Sequence, residues 1–114
     1  TNASAICITG NDSTIWLATL GGLYTCDINN KQINFVHQPK QSELAGTYIY
    51  KILLEKNGTI WYATDGNGLI KENNGNYIRY GENILPQLKI IYSMAKDNMG
   101  NLWQWYCQRR VAKI

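Results

Sequence analysis

Three of the four tryptophans, Trp16, Trp61 and Trp103, stand 45 and 42 residues apart, and each sits inside the same phrase. The first copy reads Asn11-Asp12-Ser13-Thr14-Ile15-Trp16-Leu17-Ala18-Thr19, then Gly21-Gly22-Leu23-Tyr24. The second reads Lys56-Asn57-Gly58-Thr59-Ile60-Trp61-Tyr62-Ala63-Thr64, then Gly66-Asn67-Gly68-Leu69-Ile70. The third reads Asp97-Asn98-Met99-Gly100-Asn101-Leu102-Trp103 and then leaves the pattern. An apolar stretch precedes each copy: Ile6-Cys7-Ile8, Ile52-Leu53-Leu54 and Ile90-Ile91-Tyr92. Repetition at such a period means stacked units, because one short unit cannot bury its own apolar face.

Each unit reads as four short strands. In the second copy they fall at 50–56, 59–64, 68–73 and 76–80, and in the first at 5–9, 14–19, 22–28 and 32–38. The joints are Asn57-Gly58, Asp65-Gly66-Asn67-Gly68 and Asn74-Gly75. Asn-Gly favours the positive φ angles of a tight hairpin turn. The third copy holds two and a half strands before Ile114. Ile15-Trp16-Leu17-Ala18 and Ile60-Trp61-Tyr62-Ala63 do not alternate apolar with polar, so these strands are expected to be covered on both faces. The fourth strands, near Ile33-Asn34-Phe35 and Tyr77-Ile78-Arg79, do alternate, which suits an outer edge. Leu85, Leu88, Ile91, Tyr92 and Ala95 also fall at helical spacing over 85–97. The repeat register instead makes 90–96 the innermost strand of the third unit and leaves room for a helical turn at 85–89.

Four antiparallel strands per unit, stacked radially, describe an all-β chain of β-propeller blades. Residues 1–38 are expected to form the first blade, 48–81 the second and 89–114 a partial third, with 39–47 and 82–88 as inter-blade loops. That is about two and a half blades, whereas propellers close with typically 4–8. The expected partners are therefore the remaining blades of a longer propeller, of which this is a fragment, or further copies of the chain.

These residues resemble the two-component-regulator propeller repeat, written D-x-x-G-x-[IL]-W-[IL]-[GA]-T and then G-G-L-Y. Trp16, Ala18, Thr19, Gly21, Gly22 and Leu23 fit it in the first copy. Gly58, Ile60, Trp61, Ala63, Thr64, Gly68 and Leu69 fit in the second, and Asp97, Gly100, Asn101, Leu102 and Trp103 in the third. Ser13 departs from the expected Gly, and Tyr106-Cys107-Gln108-Arg109-Arg110 replaces the Thr-x-x-Gly-Gly segment. Asp97-x-x-Gly100-x-x-Trp103 is also similar to the Asp-box of sialidase propellers, a structural turn. The resemblance implies the periplasmic sensor region of a hybrid two-component histidine kinase, as in Bacteroides-type bacteria, sensing oligosaccharides from polysaccharide breakdown. It implies no catalysis by this segment and no cofactor.

Composition narrows the remaining chemistry. Eleven Lys and Arg are diluted by eight acids for a net charge of +3, without a basic run, which argues against nucleic-acid binding. No apolar stretch approaches the ~20 residues that span a bilayer. Cys7, Cys26 and Cys107 show no CxxC spacing and have only His37 as a nitrogen partner, so neither a metal site nor a Cys/His nucleophile is expected. Paired carboxylates for glycoside hydrolysis would have to come from Asp12, Asp27, Glu43, Glu55, Asp65, Glu72, Glu82 or Asp97. Asp12, Asp65 and Asp97 sit in turns, where Asp commonly bonds its own backbone.

Binding is expected on the loops of one rim. The candidates there are Asp65, Asn67, Trp105, Tyr106, Arg109 and Arg110, with 38–47 and 81–87 on the same rim. Aromatics beside guanidiniums suit a sugar ring and its hydroxyls or an acidic group, unless Trp105 and Tyr106 are core and the Arg pair is a solvated edge. Trp16, Trp61 and Trp103 are read as inter-blade packing, and Gly22, Gly58, Gly68 and Gly100 as turn positions of the repeat. Two other readings remain: part of a propeller lyase or glycosidase, and a structural platform for protein partners.

Overall fold

The computed structural model describes residues 5–19, 22–29, 36–37, 47–80, 90–106 and 110–113. They form three antiparallel sheets, each a meander in chain order. The first holds β1 (Ala5–Gly10), β2 (Thr14–Thr19), β3 (Gly22–Asp27) and β4 (Val36–His37). The second holds β5 (Tyr48–Leu54), β6 (Ile60–Asp65), β7 (Leu69–Asn73) and β8 (Asn76–Tyr80). The third holds β9 (Ile91–Lys96), β10 (Leu102–Tyr106) and β11 (Arg110–Lys113). No helix occurs among the described residues. The helical spacing over 85–97 yields to the repeat register, since Ile91–Lys96 is a strand. The helical turn expected at 85–89 and nearly all of both inter-blade loops lie outside the described residues.

The turns show why the repeat residues recur. Glu55–Thr59 and Asp97–Asn101 close identically: Glu55 N–H donates to Thr59 O at 2.9 Å and Asp97 N–H to Asn101 O at 3.0 Å. Within each, the glycine N–H returns to the first carbonyl, and Gly58 and Gly100 take φ of 90° and 86°. The first sheet uses a shorter turn, Asn11 N–H to Thr14 O at 3.0 Å, held by Asn11 Oδ1 accepting from the N–H groups of Ser13 and Thr14. Ser13 has no positive φ there, so glycine is not required. The repeat threonine closes the next hairpin: Thr64 Oγ1 donates to Gly68 O at 2.6 Å and Thr19 Oγ1 to Gly22 O at 2.9 Å.

Packing follows from strand alternation, which sends neighbouring side chains to opposite faces. Trp16, Ala18 and Leu23 of the first sheet meet Ile49, Ile52, Tyr62 and Ile70 of the second. Trp61, Ala63 and Leu69, from the other face of that second sheet, meet Ile91, Met94, Leu102 and Tyr106 of the third. Full burial of a Leu69 or Ile91 side chain contributes about 1.5–3 kcal/mol. The middle sheet is therefore apolar on both sides, and Trp61, Tyr62, Ala63 and Thr64 are buried in unbroken succession. In β10 burial alternates residue by residue, because only one face of the third sheet meets a described neighbour. The leading strands β1, β5 and β9 run beside one another through the stack.

Candidate functional site

One rim gathers the starts of β5 and β9 and the end of β6. Asp65 closes β6, pairs in register with Tyr48 and forms a backbone bridge to Ile90. The Tyr50 hydroxyl donates to Asp65 Oδ2 at 3.0 Å. Tyr50 and Tyr92, on the adjacent leading strands, bring their rings to 5.4 Å at an interplanar angle of 47°. Tyr48 and Tyr92 remain 48% and 41% exposed. Desolvation and then the Asp65 carboxylate push the Tyr50 pKa above its usual value, so the hydroxyl stays a donor. Asn67 braces the turn behind them: its side-chain amide donates to Thr47 Oγ1, and its N–H to Thr64 Oγ1 at 3.1 Å. The result is a carboxylate and a phenol between partly open aromatic rings.

The chain matches no protein-family model and no curated protein sequence. Solved structures do match its fold. PorZ, a surface component of the type-IX secretion system of Porphyromonas gingivalis, aligns over 96% of this chain with a TM-score of 0.74 at 14% identity. The extracellular domain of the hybrid two-component system BT3049 from B. thetaiotaomicron aligns over 97% with a TM-score of 0.73 at 21% identity. The chain spans only 17% and 15% of those two proteins. Virginiamycin B lyase from Staphylococcus aureus aligns over 99% of this chain and 41% of its own, with a TM-score of 0.63 at 13% identity. The three sheets are β-propeller blades.

Within this propeller fold the candidate binding residues separate. Asp65 and Asn67 share the rim just described, and the tyrosines complete it. Trp105 and Tyr106 do not form one platform, because they are adjacent on β10 and point to opposite faces. Tyr106, 6% exposed, packs with Trp61, Ile91 and Met94 between the second and third blades. Trp105 lies 41% exposed on the outer face of the third blade. The Arg110 backbone pairs with Tyr106, and Arg109 lies outside the described residues.

The repeat tryptophans also differ among blades. Trp61 is buried between the second and third blades, and Trp16 packs half-buried against the second. Trp103 does not pack between described blades: it is 40% exposed, and its indole N–H donates to Asp97. The acids that satisfy the fold are Asp27, which accepts from Asn29 N–H, Glu55, paired with Lys96, Glu72, which accepts from Tyr62, and Asp97. Glu43 and Glu82 lie outside the described residues. Sequence reasoning passed over Tyr48, Tyr50 and Tyr92. Their signal was present, as tyrosines on successive leading strands, but only the register between blades shows that Tyr50 and Tyr92 touch.

Proposed function

We propose that the chain is a non-catalytic segment of a periplasmic sensor propeller, and that its Asp65 rim contacts an oligosaccharide released by polysaccharide breakdown. The observation that carries this reading is the Tyr50–Asp65 pair beside the Tyr92 ring. Sugars present apolar ring faces and clustered hydroxyls, and are recognised by aromatic surfaces with a few fixed polar groups. Asp65 accepts from a sugar hydroxyl while Tyr50 holds its other oxygen, and Tyr48 and Tyr92 supply the apolar surface. The similarity in fold to a two-component extracellular domain supports a sensor in which binding is passed to a kinase elsewhere in the protein. The fold is shared with lyases too. Against an enzymatic role, the rim brings a single described carboxylate to the surface, where glycoside hydrolysis uses a pair.

Calorimetry of the chain against neutral and acidic oligosaccharide panels tests this. Binding that falls at least ~10-fold in Asp65→Asn and Tyr92→Ala supports the site, a loss of about 1.4 kcal/mol or more. No binding across the panel, or binding indifferent to both substitutions, overturns it.

A further inference from the structure

Each leading strand carries one extra residue at the same place. In β1, Ala5 pairs with Thr19 and Cys7 with Ala18, so Ile6 stands outside the ladder. In β5, Ile49 pairs with Thr64 and Lys51 with Ala63, which leaves out Tyr50. In β9, Ile91 pairs with Tyr106 and Ser93 with Trp105, which leaves out Tyr92. Such a bulge interrupts the ladder and re-aims the side chain of the extra residue. The three bulges also lie side by side at the Asp65 rim. The Tyr50 and Tyr92 rings stand 5.4 Å apart, and Cys7 Sγ lies 3.8 Å from the Ile49 carbonyl, which sets the first bulge beside the second. Ile6, Tyr50 and Tyr92 therefore form a row that crosses from blade to blade, and Tyr48 widens it at the second. Along a single leading strand the row has no counterpart, because Ile49 and Ile91 turn into the packing between blades, 2% and 0% exposed.

We propose that the bulge row is the platform on which the ligand lies, and that this ligand is an oligosaccharide of two or more sugar units laid across the leading strands, from Tyr92 over Tyr50 to Ile6. The inference rests on the oligosaccharide reading of the Asp65 rim and adds to it the direction and the length of the ligand. The two tyrosine rings form one aromatic surface for the apolar face of a sugar ring. Asp65, fixed by the Tyr50 hydroxyl, accepts from a sugar hydroxyl beside that surface. Ile6 supplies an aliphatic contact one blade further on. A monosaccharide covers only part of the row, so affinity grows with chain length until Ile6 is reached.

Calorimetry with matched ladders of gluco-, manno- and galacto-oligosaccharides and of galacturonate oligomers, each starting from its monosaccharide, is the test. In a series that binds, the longer members should bind at least ~10-fold more tightly than the monosaccharide. Ile6→Tyr adds an aromatic ring to the row and should strengthen the longer members at least ~3-fold without moving the monosaccharide. Ile6→Asp should weaken the longer members alone. Circular dichroism confirms that both variants fold. In the wild-type chain, NMR cross-relaxation from the bound oligosaccharide to the Ile6 methyl groups and the Tyr92 ring should report the same row without any substitution. Affinity that is equal at every length, or that grows with length but ignores Ile6 and gives no cross-relaxation to it, overturns the row and leaves the Asp65 site standing. Binding by none of the series overturns both.

Discussion

The indole N–H of Trp103 donates to Asp97 Oδ2 at 2.9 Å, tying the first residue of a turn to the tryptophan six positions on. The same carboxylate accepts from Met99 N–H, Asn101 N–H and the Asn101 amide. The equivalent turn in the second blade begins with Glu55. Its longer side chain pairs instead with Lys96 across the blade boundary, and Trp61 Nε1 is left buried with no hydrogen-bond partner among the described residues. One methylene separates the two arrangements.

Asp97 makes the third blade sensitive to acid. Hydrogen bonds from Trp103 and then Asn101 hold its carboxyl well below the usual carboxylate range. A depressed folded-state pKa contributes stability that is complete above the unfolded value, near pH 4, and is lost as pH falls through the folded one. Urea midpoints of the wild type should therefore decline from about pH 4 downward through this group. Asp97→Asn should be less stable at neutral pH and show a flatter acid limb. Parallel curves for the two proteins would show that Asp97 is not the titrating group.

Glu55→Asp should transplant the Trp103 arrangement into the second blade. The shorter carboxylate reaches the Trp61 N–H, and satisfying a buried donor recovers about 1 kcal/mol. The forfeited Lys96 pair lies near the surface, where such pairs contribute ~0–1 kcal/mol. The expected outcome is a small net gain in denaturant midpoint and a downfield shift of the Trp61 indole proton by NMR. An unmoved indole resonance with a lower midpoint would refute it.

Much of the fold was legible because repetition supplied a register that local patterns lacked. Over 85–97 the helical spacing of Leu88, Ile91 and Ala95 and the strand reading compete, and alignment with Ile52-Leu53-Leu54 decides for the strand. The Asn-Gly joints were legible too, since Gly58 and Gly75 take the positive φ that such turns favour, whereas the bonds from Thr19 and Thr64 to the carbonyls of their repeat glycines emerge only from the structure. The rim was only partly legible. Asp65 and Asn67 follow from their place in the connection between the second and third strands of their blade, whereas Tyr50 meets Tyr92 across a blade boundary that sequence spacing does not define. Trp105 and Tyr106 were grouped by adjacency, although adjacency in a strand separates side chains.

Equivalent turn positions in the first two blades should respond oppositely to glycine. Gly58 holds a φ of 90° with no atom within 4 Å of where a Cβ would stand, so Gly58→Ala pays only for backbone conformation, about 1–2 kcal/mol. Ser13 sits in the shorter turn without positive φ, and its hydroxyl reaches Asn11. Ser13→Gly should therefore destabilise by roughly 0.5–1 kcal/mol through the freer unfolded chain. Thermal melts of both variants check the pair, and a stabilising Ser13→Gly would mean that the first turn strains its serine.

Gln104 is the remaining liability in the core. It is 1% exposed on the face of β10 that also carries Leu102 and Tyr106, and neither its amide nitrogen nor its oxygen has a hydrogen-bond partner among the described residues. A buried polar group without partners costs about 1–3 kcal/mol. Methionine has nearly the same length and fills irregular gaps, so Gln104→Met removes that penalty while keeping the packing. The denaturant midpoint should rise by the equivalent of about 1 kcal/mol, the lower end of that penalty. Gln104→Ala should fall instead, because it leaves a void between the second and third blades. If Gln104→Met also falls, the amide is satisfied in solution and the layer between those blades is more polar than its Trp61, Met94 and Leu102 side chains indicate.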